Sequence, residues 1–211
     1  MEGDTEEEFV KSSVAPYLQG FDILDVRGIK VLTSPGHKGG IGNCQKFKNN
    51  VKRYLKQEKE IVVSSMLDYF RLPNSFPQYN DALKIPNSVE RANFLEAAMK
   101  VDIEHHRFLP YLQLHEFEAL LFTDLRGFEY CRFPDKPMKQ IEAIMEAYEN
   151  PEDINNHPDT APSKRLLKII PAYEKVVHGN IIVQENGFHQ LLEKCPRFSQ
   201  WVEKLKIMAL Q

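Results

Sequence analysis

The run Ile61-Val62-Val63-Ser64-Ser65-Met66-Leu67, closed by Asp68, decides how the rest of the chain is read. It is short, apolar and rich in β-branched residues, the pattern of a strand buried on both faces of a parallel sheet. Parallel strands need a long crossover, and the sequence supplies one. Ser88 through Glu104 carries Val89, Ala92, Phe94, Leu95, Ala98, Met99 and Ile103 at helical spacing. Phe108-Leu109-Pro110-Tyr111-Leu112-Gln113-Leu114 then reads as a second strand ending at His115, and Glu116 to Phe122 resumes a helical pattern. Tyr69 to Tyr79, with Pro73 and Pro77, reads as a loop.

Upstream of the first strand, Cys44 to Gln57 is expected to be a helix. Phe47, Val51, Tyr54 and Leu55 form one side, and Lys46, Lys48, Lys52, Arg53 and Lys56 surround the rest as a basic face. Phe9, Val10, Val14, Tyr17 and Leu18 mark a short amphipathic helix that Gly20 ends. Ile23 to Leu32 reads as an extended segment or a hairpin around Arg27-Gly28. Alternating strands and helices argue for an α/β core over residues 1–130, a parallel sheet flanked by helices. The pattern changes after Cys131 to Pro137. Lys139 to Tyr148, Ser163 to Ile170, Asn186 to Cys195 and Pro196 to Met208 all have helical patterns, so residues 131–211 are expected to form a helical C-terminal subdomain packed on the core.

The 211 residues are 42% hydrophobic and 27% charged, a composition that folds and that excludes disordered or collagen-like chains. Net charge is −3, so binding to nucleic acid would have to use a local basic patch. Cys44, Cys131 and Cys195 are odd in number and far apart, which supports neither a disulfide framework nor a zinc knuckle and fits a reducing cytoplasm. His105, His106 and His115 lack the His-Glu-x-x-His spacing of a zinc site. The apolar runs fall far short of the roughly 20 residues of a membrane span, and the acidic first residues do not resemble a secretory leader, so a cytoplasmic protein is expected.

In open α/β sheets, chemistry gathers beyond the carboxyl ends of the strands. Asp68 and the Glu116/Glu118 pair hold such positions. On a helix, residues two apart point in nearly opposite directions, so one of Glu116 and Glu118 would face a shared ligand. Carboxylates from separate strand ends suit a hard divalent cation such as Mg²⁺. The plainer alternative makes Asp68 a turn residue, Glu118 a surface residue and Glu2 part of a frayed terminus.

Four motifs carry a resemblance. Glu2-Gly3-Asp4-Thr5-Glu6 is similar to the Glu-Gly-x-Thr-Glu signature of TOPRIM domains in overcoming-lysogenization-defect type nucleases. Together with Ser65 through Pro73, His115-Glu116-Phe117-Glu118-Ala119-Leu120-Leu121-Phe122 and Thr160-Ala161-Pro162-Ser163-Lys164-Arg165-Leu166, it resembles the bacterial family called domain of unknown function 4276. The resemblance implies a TOPRIM-like, Rossmannoid α/β fold in a cytosolic bacterial protein, often beside an ABC-type ATPase in phage defence. It makes Glu2 the TOPRIM glutamate, a metal ligand or general acid/base, and Asp68 the first acid of an Asp-x-Asp pair. The second acid of that pair is replaced by Phe70, and Glu118 is then the residue to complete a site with Mg²⁺ or Mn²⁺.

Such a nuclease, acting on DNA or RNA, also needs cations for phosphate. Lys38, among Gly36, Gly39, Gly40 and Gly42, lies in a loop whose backbone N–H groups can approach an anion, although the spacing is not that of a Walker A loop. Pro162-Ser163-Lys164-Arg165 opens a helix, where free N–H groups favour an anion. Lys164, Arg165, Lys175 and His178 are candidates for phosphate contacts or for salt bridges to the acids. The competing expectation is a non-catalytic partner or sensor subunit of an ATPase, in which the acids are structural.

Overall fold

The computed structural model describes residues 1, 3–31, 41–57, 59–154 and 160–211. The two apolar runs do pair in parallel. β1 (Val63–Ser64) pairs with β3 (Phe108–Leu109), and β2 (Leu67–Asp68) pairs with β4 (Leu112–Gln113). The register is the same on both sides of the gap, with Val63 opposite Phe108 and Leu67 opposite Leu112, so one ladder is interrupted rather than two built. The gap falls where Tyr111 N donates to the Ser65 side chain instead of the Ser65 carbonyl. Pro110 is tolerated there because its missing N–H would point away from the partner strand, as that of Leu112 does. At the break the Ser65 hydroxyl substitutes for backbone: it accepts from Tyr111 N at 2.9 Å and donates to Tyr111 O at 3.2 Å.

Period-two alternation sends successive residues of this ladder to opposite faces, and both faces are covered. Leu67, Phe108 and Leu112 join a cluster with Phe47, Phe76, Leu95 and Met99. Met66 and Tyr111 join the other cluster, which contains Phe9, Phe117, Phe122, Phe198 and Trp201. The expected wider sheet is replaced by helix on either side: among the described residues the ladder is two strands wide, in a mixed and mainly helical α/β arrangement.

α3 (Cys44–Gln57) has the expected span, with Phe47, Val51 and Leu55 buried. α4 (Tyr79–Ala82) is a single turn in the loop before the crossover. The crossover, α5 (Ser88–Ile103), starts where the Asn87 side chain accepts from Val89 N and Glu90 N and stops where Glu104 turns left-handed at φ 55°. At the chain's beginning, α1 (Asp4–Phe9) runs through a π turn at Val10–Val14 into α2 (Ala15–Gln19). Pro16 accounts for the wide turn, since it cannot donate to the carbonyl one turn earlier. The segment 23–31 forms no hairpin: it is irregular, and Gly28 lies so close to α1 that a Cβ would stand 3.1 Å from Glu7 O.

After a 3₁₀ stretch at Phe117–Thr123, the C-terminal helices follow: α6 (Arg126–Tyr130), α7 (Asp135–Ala147), α8 (Pro162–Ile169), α9 (Lys175–Asn186), α10 (Phe188–Lys194) and α11 (Pro196–Ala209). α9 is the departure. Its sequence, KVVHGNIIVQEN, is rich in β-branched residues and carries Gly179 and two Asn, all weak helix formers. It is held by packing against α1, α6 and the 3₁₀ stretch. α11 closes the structure over the ladder: Trp201 stacks on Tyr111 at 4.6 Å, and its Nε1 donates to Ser64 Oγ at 2.8 Å.

Candidate functional site

The carboxyl end of the ladder presents Asp68. Its Oδ1 accepts from Phe117 N at 3.1 Å, which ties the end of β2 to the start of the 3₁₀ stretch. Between them His115 adopts φ 63°, a left-handed conformation seldom used by non-glycine residues, and its carbonyl accepts from Phe70 N at 3.3 Å. This bend sets the directions of the two glutamates that follow.

Glu116 and Glu118 diverge. Glu116 is extended, and its Oε2 accepts from Ser163 N at 3.1 Å in the first turn of α8. The helix start expected to attract an external anion therefore holds one of the chain's own carboxylates. Glu118 turns the other way and is fully buried. Its Oε1 stands 3.1 Å from Lys175 Nζ, an ion pair without hydrogen-bond alignment, and neither of its carboxylate oxygens has a hydrogen-bond partner. Burial pushes the Glu118 carboxyl up to about 7, with Lys175 opposing that rise.

Lys175 opens α9 and faces several acids. Burial draws its ammonium down, but Glu118, then Asp68 and Glu6, outweigh that and carry it above its ordinary value. Its side chain is 42% exposed, so solvent screens part of the attraction. Glu6 reaches this region from α1, where it is buried, and α1 is fastened to α9 by Asn180 Nδ2 donating to Thr5 O at 3.4 Å. The Tyr173 hydroxyl is buried beside the same group without a hydrogen-bond partner, and burial followed by the charge of Glu118 raises it. Gly179 makes the close packing feasible: a Cβ there would stand 2.9 Å from Tyr173 Oη and 3.5 Å from Phe117 Cε1.

Of the residues expected at a metal site, the fold thus draws Asp68 and Glu118 toward one ammonium and diverts Glu116 to α8. Glu2 lies outside the described residues, as does Lys38. Lys175 pairs with an acid, one of the two roles expected of it. Lys164 is exposed, while Arg165 donates to Thr160 O at 2.7 Å and covers the Tyr148 ring at 5.8 Å. His178 serves its own helix: its Nδ1 accepts from Glu174 N at 2.8 Å, and its ring lies against Phe133 and Tyr173. Tyr173 and Asn180 gave no signal in the sequence as members of the site, and Glu6 entered only as the last residue of the Glu-Gly-x-Thr-Glu motif, without a role of its own. Only the docking of α9 against α1 and the 3₁₀ stretch assembles them.

Among the described residues, no group of three or more His, Cys, Asp or Glu has the geometry of a metal site. Nor is any helix there long and apolar enough to cross a membrane. The family model described as "Domain of unknown function (DUF4276)" matches residues 1–206. No curated protein and no solved structure matches the chain.

Proposed function

Starting from the fact that the chain belongs to the DUF4276 family, we propose that it is a Mg²⁺- or Mn²⁺-dependent phosphodiesterase on DNA or RNA, with a TOPRIM-like core. The observation that carries this reading is Glu118: a fully buried carboxylate whose two oxygens make no aligned hydrogen bond, set beside Lys175, whose ammonium also feels Asp68. A buried carboxylate without aligned hydrogen bonds is costly, and such groups are frequent where a ligand or a reaction uses them.

Two carboxylates, Glu118 and Asp68, are of the donor type a hard divalent cation prefers, and such an ion can be held by one or two of them with retained water. Glu118 and Asp68 would hold it, joined by Glu2 if the family resemblance extends to that residue. A cation bound there supplies Lewis acidity toward a phosphoryl oxygen and a more acidic water. The chain's own groups do the rest. Asp68, anchored on Phe117 N, fixes the strand end against the 3₁₀ stretch, and the partly exposed Lys175 brings positive charge beside Glu118. A cytoplasmic role beside an ABC-type ATPase in phage defence belongs to this proposal, as the family resemblance implies.

The test is incubation of the purified protein with single- and double-stranded DNA and RNA in Mg²⁺ or Mn²⁺, alongside Asp68→Ala and Glu118→Gln. Cutting that both substitutions abolish is the expected result. Equal cutting by all three proteins, or none under any condition, removes the assignment. A second reading, a non-catalytic partner or sensor subunit of an ATPase, draws on Phe70 in place of the second acid and on the metal-type geometry lacking among the described residues. Co-purification with such an ATPase, without heat of metal binding, would favour it.

A further inference from the structure

α3 carries Lys46, Lys48, Lys52, Arg53 and Lys56 and no acidic residue, in a chain whose net charge is −3. Steps of three and four place Gln45, Asn49, Lys52, Arg53 and Lys56 on one stripe, on the side away from the buried Phe47, Val51 and Leu55. Several lysines elsewhere have an acid three residues away: Lys11 has Glu8, Lys84 has Asp81 and Lys206 has Glu203. On α3, Asp102 neutralises Lys48 at 2.6 Å, whereas among the described residues Lys52, Arg53 and Lys56 pair with no acid. Like charges three and four apart on a helix repel, and an external polyanion relieves that repulsion.

We propose that this stripe of α3 docks duplex nucleic acid by its phosphate backbone. The proposal rests on the phosphodiesterase reading for the class of ligand and adds the ligand's form and seat. A duplex carries about one negative charge per 1.7 Å of its axis, and the stripe from Gln45 to Lys56 is a rigid line of about 17 Å. An anionic membrane suits it less, because a surface helix binds lipid by inserting apolar residues, and those of α3 are buried in the core. A single strand also suits it less. Unpaired bases are held by stacking on aromatic rings, and Tyr54 of α3 is covered by Arg53, whose Cζ lies 4.8 Å from the ring centroid. The two ends of α3 relate the seat to the candidate site. Cys44 N donates to Ser75 Oγ at 3.0 Å, in the loop beyond Asp68. At the other end of the ladder Arg107 donates to Leu55 O and to Ile61 O, each at 2.9 Å. A duplex on α3 thus lies along the ladder and extends toward the end that carries Asp68.

The docking is read by fluorescence anisotropy of a short labelled DNA duplex with the full chain in EDTA, so that no divalent cation takes part. Lys52→Gln/Arg53→Gln/Lys56→Gln is compared with Lys136→Gln/Lys139→Gln/Lys168→Gln, which removes equal charge from exposed lysines elsewhere, and circular dichroism checks that both are folded. The α3 variant is expected to bind about ten-fold more weakly at physiological salt. It should also flatten the dependence of log affinity on log salt by about 2–3, the share of three phosphate contacts, while the control stays near wild type. No binding by the wild type, equal losses in the two variants, or equal affinity for a single strand, for phosphatidylserine vesicles or for poly-glutamate overturns the proposal. Binding that depends on α3 without metal-dependent cutting removes the phosphodiesterase reading and leaves the docking face standing. Undiminished cutting of a duplex by the α3 variant overturns the docking face alone.

Discussion

Gly127 of α6 and Ile182 of α9 meet backbone to backbone: a Cβ on Gly127 would stand 2.3 Å from the Ile182 carbonyl oxygen and 2.7 Å from its Cα. Neither atom belongs to a flexible side chain, so added volume must part the two helices. α9 also carries Lys175, which makes this contact a determinant of the site as well as of the fold.

Gly127→Ala is therefore expected to destabilise the protein by about 3 kcal/mol, the upper part of the range for overpacking. Urea unfolding followed by circular dichroism measures it. An unchanged midpoint would show that α6 and α9 separate without cost.

Asn186 locks the same junction. Its Oδ1 accepts from Gly127 N at 2.9 Å, and its Nδ2 donates to Leu121 O at 2.9 Å and to Thr123 Oγ1 at 3.2 Å. Asn186→Leu leaves the buried Gly127 N–H and Leu121 carbonyl without these partners, and about 2–4 kcal/mol should be lost for two such groups. Thermal unfolding of the variant should show a correspondingly lower Tm. A shift within error would mean that water replaces the amide.

Glu118 gives a pH signature. Unfolded, its carboxyl releases a proton near its ordinary 4.5; folded, it holds the proton to about 7. The folded state thus binds the extra proton between those values, and this group's contribution to stability falls as pH rises through that window. The full effect is of order 3 kcal/mol. Glu118→Gln removes it, so the variant should gain stability relative to wild type by about that amount between pH 4.5 and 8. Parallel pH profiles for the two proteins would refute the shift.

His115 behaves oppositely. Burial lowers its imidazole to about 4, against a partial rise from Glu116. The unfolded chain takes up this proton near 6.5, so stability is present above that value and is lost as pH falls toward 4. Proton NMR should find the His115 ring neutral at pH 5.5, where an exposed histidine is mostly charged. A midpoint near 6.5 would count against a buried, neutral ring.

Glu152 is a structural counterpart to Glu118. It is fully buried, yet its oxygens accept from Arg197 N at 2.8 Å and Phe198 N at 3.1 Å at the start of α11. Glu152→Ala should cost about 2–3 kcal/mol by leaving two buried N–H groups unpaired. Equilibrium unfolding reads this directly, and a neutral result would show that α11 needs no carboxylate at its start.

The parallel pairing of residues 63–68 with 108–113 was legible because a short apolar β-branched run has few places to go except between two covering layers. The spans of α3 and α5 followed from helical periodicity. The acids at strand ends were legible as types and positions, since Asp68 follows directly from where its strand stops. Their directions were not. The left-handed turn at His115 sends Glu116 to α8 and Glu118 inward, and backbone dihedrals of a single residue leave no trace in composition. α9 went unread because its own residues disfavour helix.

The amino-acid sequence alone determined the alternation of strand and helix and the placing of carboxylates beyond the strands, because these depend on local periodicity. Tertiary structure decided which carboxylate is satisfied and which is left bare. Whether Glu116 finds Ser163 N and Glu118 finds Lys175 depends on segments about fifty residues apart docking against each other, and long-range packing overrides local preference there.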